Sequence, residues 1–275
     1  MSMSKKSKII IYVLLTIMAL YFLSPFVYML FTTFKTEAEA IAYPPKMFPK
    51  KWLVENYLNA WNAQPFGRYL WNSIVVTVGT TAGQIISCSL VAYGFARYNF
   101  KGKNVLFMIL LSTMMIPWDV TMIPQYMEFK IFGWINTLKP LIVPAWFGSA
   151  YYIFLMRQFL MGVPKDFEEA ARIDGASELN ILLKIMLPMA KPVISVLCIF
   201  SFMWRWNDYL WPKLVINGKE RYTIQLALAN YSGEYSVDWN SLLAMSVISM
   251  IPVIIVFVTL QKYIIGGMTA GGVKE

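Results

Sequence analysis

Residues 168–177 read Glu-Glu-Ala-Ala-Arg-Ile-Asp-Gly-Ala-Ser (EEAARIDGAS), a charged, alanine-rich stretch set between two strongly apolar runs. If residues 164–190 crossed a bilayer, Asp166, Glu168, Glu169, Arg172, Asp174, Glu178 and Lys184 would enter hydrocarbon. Each charged group costs up to about 2.5–3.5 kcal/mol near the centre of a span. That excludes the segment as a span. The fold must hold this stretch outside lipid while keeping its flanks within it.

Those flanks set the class. Of 275 residues, 58% are hydrophobic and 14% charged, with a mean hydropathy of +0.53. A soluble domain has roughly 45–50% apolar and about 25% charged residues. The net charge of +9 is scattered over short loops rather than gathered in a stripe, which fits membrane topology and anionic lipid, not nucleic acid. Cys88 and Cys198 each lie in an apolar run, which argues against a disulfide framework or a zinc site. Histidine is absent, removing the commonest general base and metal ligand. No catalytic residue and no metal ligand is assigned.

A spanning helix needs about 20 mostly apolar residues. Six stretches qualify, at about 9–31, 69–95, 105–126, 138–159, 192–211 and 242–265. The expectation is an all-α, polytopic membrane protein with six transmembrane helices and one polar loop, 164–190. The first span, preceded by Lys5, Lys6 and Lys8, reads as an uncleaved signal anchor. Pro117, Pro124, Pro144 and Pro252 fall within or at the ends of spans, where neighbouring helices can tolerate kinks. In the second span, Gly79-Thr80-Thr81-Ala82-Gly83 supplies small residues for close helix packing, within this chain or against another subunit. With both termini inside, the basic residues at the amino-terminal flank and in the loop Arg97–Lys103 obey the positive-inside rule, and the polar loop is cytoplasmic. Outside, Trp52–Trp61 (WLVENYLNAW) reads as an amphipathic surface helix.

Local chemistry predicts a helix–turn–helix in the polar loop. Asp166 and Glu169 have capping-box spacing. Phe167, Ala170, Ala171 and Asp174 are expected to share one face, kept slim by the alanines. Gly175 supplies a turn, and Ser177 caps a second helix carrying Leu179, Leu182, Leu183 and Met186, which ends at Leu187-Pro188.

Glu169-Ala170-Ala171, three residues, Gly175, nine residues, Ile185, one residue, Leu187-Pro188 resembles the EAA loop of ABC importer permeases. The resemblance extends over almost the whole chain. "STMMIPWDVTMIPQY", "RWNDYLWP" and "QKYIIGGMTAGGVKE" are similar to the binding-protein-dependent, type I, carbohydrate-uptake branch, close to MalG-type permeases of maltose importers. It implies a single permease domain, 1–275, in a bacterial cytoplasmic membrane, with both termini cytoplasmic. It further implies a homologous second permease, two cytoplasmic ATPase subunits and an extracellular or periplasmic sugar-binding protein. ATP and Mg2+ would sit on the ATPases; no cofactor is expected on this chain. The chain carries no G-x-x-x-x-G-K-[ST] phosphate loop: Gly102-Lys103 and Gly218-Lys219 lack the upstream glycine and following hydroxyl.

The resemblance marks Glu169, Ala170, Ala171, Asp174, Gly175, Ile185, Leu187 and Pro188 as ATPase-coupling positions. The tail Gly266–Glu275 either touches the ATPases or is a frayed terminus. Trp206, Asn207, Asp208 and Tyr209 are candidates for a sugar path, since ionisable and aromatic groups in a span suit hydroxyls and sugar faces. Interfacial anchoring is the alternative reading of the same residues. An ion-coupled secondary carrier and an intramembrane enzyme are the competing classes. Neither a central ionisable relay nor paired carboxylates in the spans is visible.

Overall fold

The computed structural model describes residues 4–231 and 237–271, with residues 264–271 as backbone only. The elements among the described residues are helical. In chain order they are α1 (Lys5–Thr32), α2 (Glu37–Ala40), α3 (Glu55–Ala63), α4 (Phe66–Arg97), α5 (Lys103–Ser112), α6 (Trp118–Ile131), α7 (Lys139–Ile142) and α8 (Ala150–Gly162). There follow α9 (Asp166–Ile173), α10 (Glu178–Ile181), α11 (Leu187–Met189), α12 (Lys191–Trp206), α13 (Leu210–Val215), α14 (Ile224–Ala229) and α15 (Trp239–Gly271).

Three helices, α1, α4 and α15, are long and apolar enough to cross a membrane unbroken. Pro25 and Pro252 lie inside α1 and α15 without interrupting either. Two further candidates are bent pairs: Lys103–Met115 with Trp118–Ile131 at 97°, and Glu178–Met189 with Lys191–Trp206 at 79°. Among the described residues the count by length and apolarity is therefore three, or up to five if each bent pair is one span, which leaves the expected six unconfirmed.

The differences have local causes. At the first bend Ile116 is extended (φ −83°, ψ 114°), because a residue before proline is pushed out of the helical region. The expected fourth span, 138–159, is divided. Its first part is α7 and a 3₁₀ stretch, Val143–Phe147; Gly148 then takes φ +91°, and α8 starts afresh. The helix of the expected fifth span, α12, stops at Trp206 rather than at residue 211. The stretch Trp52–Trp61 does supply a helix, α3.

The chain forms two compact units. In the first, Met1–Gly67 with Ala227–Met250, the buried Lys35 ammonium donates to Thr32 Oγ1 (3.1 Å) and the Lys46 carbonyl (2.6 Å). Asn56 Nδ2 donates to the carbonyls of Thr33 (2.8 Å) and Lys35 (2.9 Å), tying α3 to the end of α1. The membrane stretch of α1 itself has no residue buried, so its apolar surface is left for lipid or another chain to cover.

The second unit comprises Arg68–Leu226 with Ile251–Glu275. One of its cores joins α4, α8 and the polar loop through Cys88, Ala92, Tyr93, Met156, Leu160, Ile181, Met186 and Leu197. Another gathers Val76, Phe129, Leu141, Trp211 and Val215. Cys88 and Cys198 are free thiols.

Candidate functional site

The polar loop folds as helix, turn, helix. Lys165 is already helical and offers no side-chain cap, so α9 begins with Asp166 as its first residue. The Lys165 carbonyl accepts the N–H groups of Glu168 (2.9 Å) and Glu169 (3.0 Å). The predicted Asp166–Glu169 capping box is therefore absent. Asp166, Glu168 and Glu169 instead place three carboxyl groups in the first turn, against the positive end of the helix dipole.

The predicted common face also divides. Ala171 is buried and points inward with Glu168, three residues before it. Phe167, Glu169, Ala170, Ile173, Asp174 and Gly175 are exposed, and Ile173 keeps 86% of its surface open. Gly175 takes φ +80°, a conformation L side chains rarely adopt. The turn closes with Gly175 N–H donating to the Arg172 carbonyl (3.0 Å) and Ala176 N–H to the Ala171 carbonyl (2.9 Å). Ser177 Oγ then accepts the Asn180 N–H (3.4 Å) and caps α10, as its position predicts.

Beyond α10 the chain widens into a π turn, Leu182–Met186. Such a turn rotates the following residues relative to an α-helix. Ile181, Leu182 and Met186 face the core, whereas Leu179 and Leu183 stay exposed. Ile185 and Leu187 pack partly buried against that core. Pro188 is exposed within α11, and the helix runs on to Met189 before the bend into α12.

Charges fasten this loop to α4. Arg97, the last residue of α4, pairs through Nε with Glu168, and both side chains are almost wholly buried, 4% and 3% exposed. Arg97 Nη2 also donates to the Val163 carbonyl (2.8 Å). Glu168 faces Arg172 (3.5 Å), and Arg172 pairs with Glu178 (2.7 Å). Glu178 accepts hydrogen bonds from Tyr98 (2.8 Å) and Tyr93 (3.1 Å) at the end of α4. The Arg172 guanidinium, then the Tyr98 hydroxyl, hold the Glu178 carboxyl down at about 2. The sequence reading missed Arg97 and Glu168 in this role. Its signal was thin: a second glutamate before the EAA triplet, and an arginine that served only to set topology.

The four path candidates each make different contacts. Trp206 is buried, stacked on Phe202 with ring centres 5.4 Å apart. Asn207 ends α12, donating to the Met203 carbonyl (2.8 Å) and accepting from Gln225 Nε2 (3.3 Å). Asp208 pairs with Arg205 (3.4 Å) and accepts the Trp211 N–H (3.3 Å). Tyr209 is exposed beside the Lys213 ammonium, 5.1 Å from its ring centre. Of the tail, residues 266–271 continue the α15 backbone and 272–275 lie outside the described residues.

A helix–turn–helix of this spacing, leading into an apolar span, is matched by the family described as "Binding-protein-dependent transport system inner membrane component", over residues 85–269. The chain belongs to that family. As an inner membrane component it is 34% identical to the arabinooligosaccharides transport system permease protein AraQ of Bacillus subtilis (strain 168), over 82% of this chain and 80% of that one. It is 32% identical to the melibiose/raffinose/stachyose import permease protein MelC of the same organism, over 98% of each chain. Its fold is similar to a chain in the crystal structure of a bacterial ABC transporter involved in the import of the acidic polysaccharide alginate. There the TM-score is 0.81 at 27% identity, covering 96% of this chain and 99% of that one. The family match takes in the whole polar loop and α12 of this inner membrane component, and leaves α1–α3 outside it.

Proposed function

We propose that this chain is one permease of an ATP-driven carbohydrate importer, acting as a single permease domain over residues 1–275. It forms half of the translocation path, with a homologous second permease supplying the other half. Two ABC ATPase subunits bind ATP and Mg2+ on the cytoplasmic side, and an extracellular or periplasmic binding protein delivers the sugar. The chain itself hydrolyses nothing. It lies in a bacterial cytoplasmic membrane with both termini and the loop 164–190 in the cytosol, and its scattered cations meet lipid rather than nucleic acid.

The observation that carries this reading is α9. It is a short, rigid helix outside the spans, turned at Gly175, with Phe167, Ala170 and Ile173 exposed. Exposed apolar groups on a polar segment suit a cleft on a soluble partner. When the ATPases close on ATP, such a helix is carried with them and shifts the spans between inward- and outward-facing arrangements. Glu169, Ala170, Asp174 and Gly175 are exposed and would meet that cleft; Ala171, Ile185 and Leu187 belong to the support behind it, and exposed Pro188 stays a coupling position.

The test is reconstitution of the chain with its copurifying permease, ATPases and binding protein in vesicles. Sugar uptake requiring ATP is expected. Uptake driven by an ion gradient without ATP would replace this reading with that of a secondary carrier.

A further inference from the structure

Within α9 most side chains are exposed, yet Glu168 is sealed against Arg97. Holding a helix in place does not require charge. Apolar residues of similar volume commonly do so as well or better, because a buried ion pair must offset the desolvation of both groups. What a buried arginine adds is directed geometry: its planar fork fixes two acceptors at once. Here the Nη2 arm donates to the Val163 carbonyl, just ahead of α9, while the Nε edge forms the ion pair with the Glu168 carboxylate in the first turn of that helix.

A second tie runs further along. Glu168 faces Arg172, Arg172 grips Glu178, and Glu178 takes the hydroxyls of Tyr93 and Tyr98 back at the end of α4. The ring is closed: from α4 through α9 and α10 to α4 again. Apolar contact adds little directly, since Ala171 is the buried apolar residue of α9. We infer that Arg97 and Glu168 are positioning residues that make α4 and α9 move as one body, so that displacement of α9 reaches the long span α4 directly and not only through the helices flanking the loop.

This inference rests on the proposal that α9 is the ATPase contact. The test is a set of variants in the assembled transporter: Arg97→Met, Glu168→Met, the two together, and Arg97→Lys. Arg97→Met leaves buried Glu168 with only the more distant Arg172, and Glu168→Met leaves buried Arg97 with only the Val163 carbonyl, so assembly falls in each. The double variant removes both charges and is expected to regain insertion, assembly and ATP hydrolysis. Its sugar uptake per ATP hydrolysed should nonetheless fall about two- to thirty-fold, the range over which residues along a coupling route act. Arg97→Lys retains the charge but cannot hold Glu168 and Val163 together, and is expected to assemble with a smaller loss.

A purely structural pair predicts full uptake per ATP once assembly is regained. Full uptake per ATP in the double variant would overturn the inference. If the double variant does not assemble, Arg97→Lys decides by the same ratio. Wild-type uptake that needs no ATP would instead refute the importer reading itself, so the two failures are distinguishable.

Discussion

Gly83 on α4 lies against the indole of Trp146 so closely that a Cβ at position 83 would overlap the ring. One turn earlier, a Cβ on Gly79 would come within 3.2 Å of Ile142. Between and beyond them, Thr80 Oγ1 donates to the Leu141 carbonyl (3.0 Å) and Ser87 Oγ to the Ala145 carbonyl (3.4 Å). The small-residue stripe therefore packs within this chain, against residues 141–146 where the helix is interrupted. α7 and the 3₁₀ stretch after it are too short to satisfy their own ends, and the hydroxyls of α4 reach one carbonyl in each.

Gly83→Val should force the half-exposed Trp146 to swing away, costing about 1–3 kcal/mol as overpacked contacts do. The expected result is a lower thermal midpoint of the detergent-solubilised chain, with part of the loss recovered when Trp146→Ala is added. A midpoint unchanged by Gly83→Val would mean the close approach does not exist.

Gly175 (φ +80°) offers a graded test of the turn. Asparagine tolerates this region, alanine costs about 1–2 kcal/mol there, and proline is fixed near −65° and cannot enter it. Sugar uptake coupled to ATP should fall in the order Gly, Asn, Ala, Pro. Gly175→Pro is expected to insert normally, because the turn lies outside the spans, yet to abolish coupling. Undiminished transport by that variant would remove the turn from the mechanism.

Much of this loop was legible in the sequence for a physical reason. The Gly175 turn and the Ser177 cap depend on near neighbours alone. The cap of α9 was misread because Lys165 entered the helix, which put Asp166 one position too far in. The pairing of Arg97 with Glu168 left no periodic or local signature, since the residues meet only after α4 and α9 have folded together. The breaks at Ile116-Pro117 and Gly148 were visible as residues but not as breaks, because prolines inside α1 and α15 leave those helices whole.

Glu178 predicts the acid response of the loop. Its carboxyl is held at about 2, below an ordinary glutamate near 4.3, so the folded loop favours the ionised form. The stabilisation is complete above the unfolded value and is lost as pH falls from there through the folded one. Hydrogen-exchange protection of residues 166–181, taken relative to the intrinsic amide rate at each pH, should thus be unchanged between pH 7 and about 5, then fall towards pH 2. The Glu178→Gln variant should lack that acid-dependent loss of protection. An identical acid profile in the variant would show that another group controls the loop.

Trp206 and Tyr209 should part company on mutation, although they are three residues apart. Trp206 is 2% exposed and stacks on Phe202, so Trp206→Ala should cost about 3–5 kcal/mol and show as poor accumulation and a low thermal midpoint. Tyr209 and Asn207 are exposed, and their alanine variants should leave stability within about 0.5 kcal/mol. If the end of α12 faces the sugar, those two variants raise the KM for uptake, because each withdraws a polar group or a ring face from the path. Asn207→Ala also frees Gln225, its partner at 3.3 Å, so Gln225→Ala should reproduce part of that rise. An unaltered KM in all three variants would take this helix end out of the path and leave interfacial anchoring as the role of its aromatics.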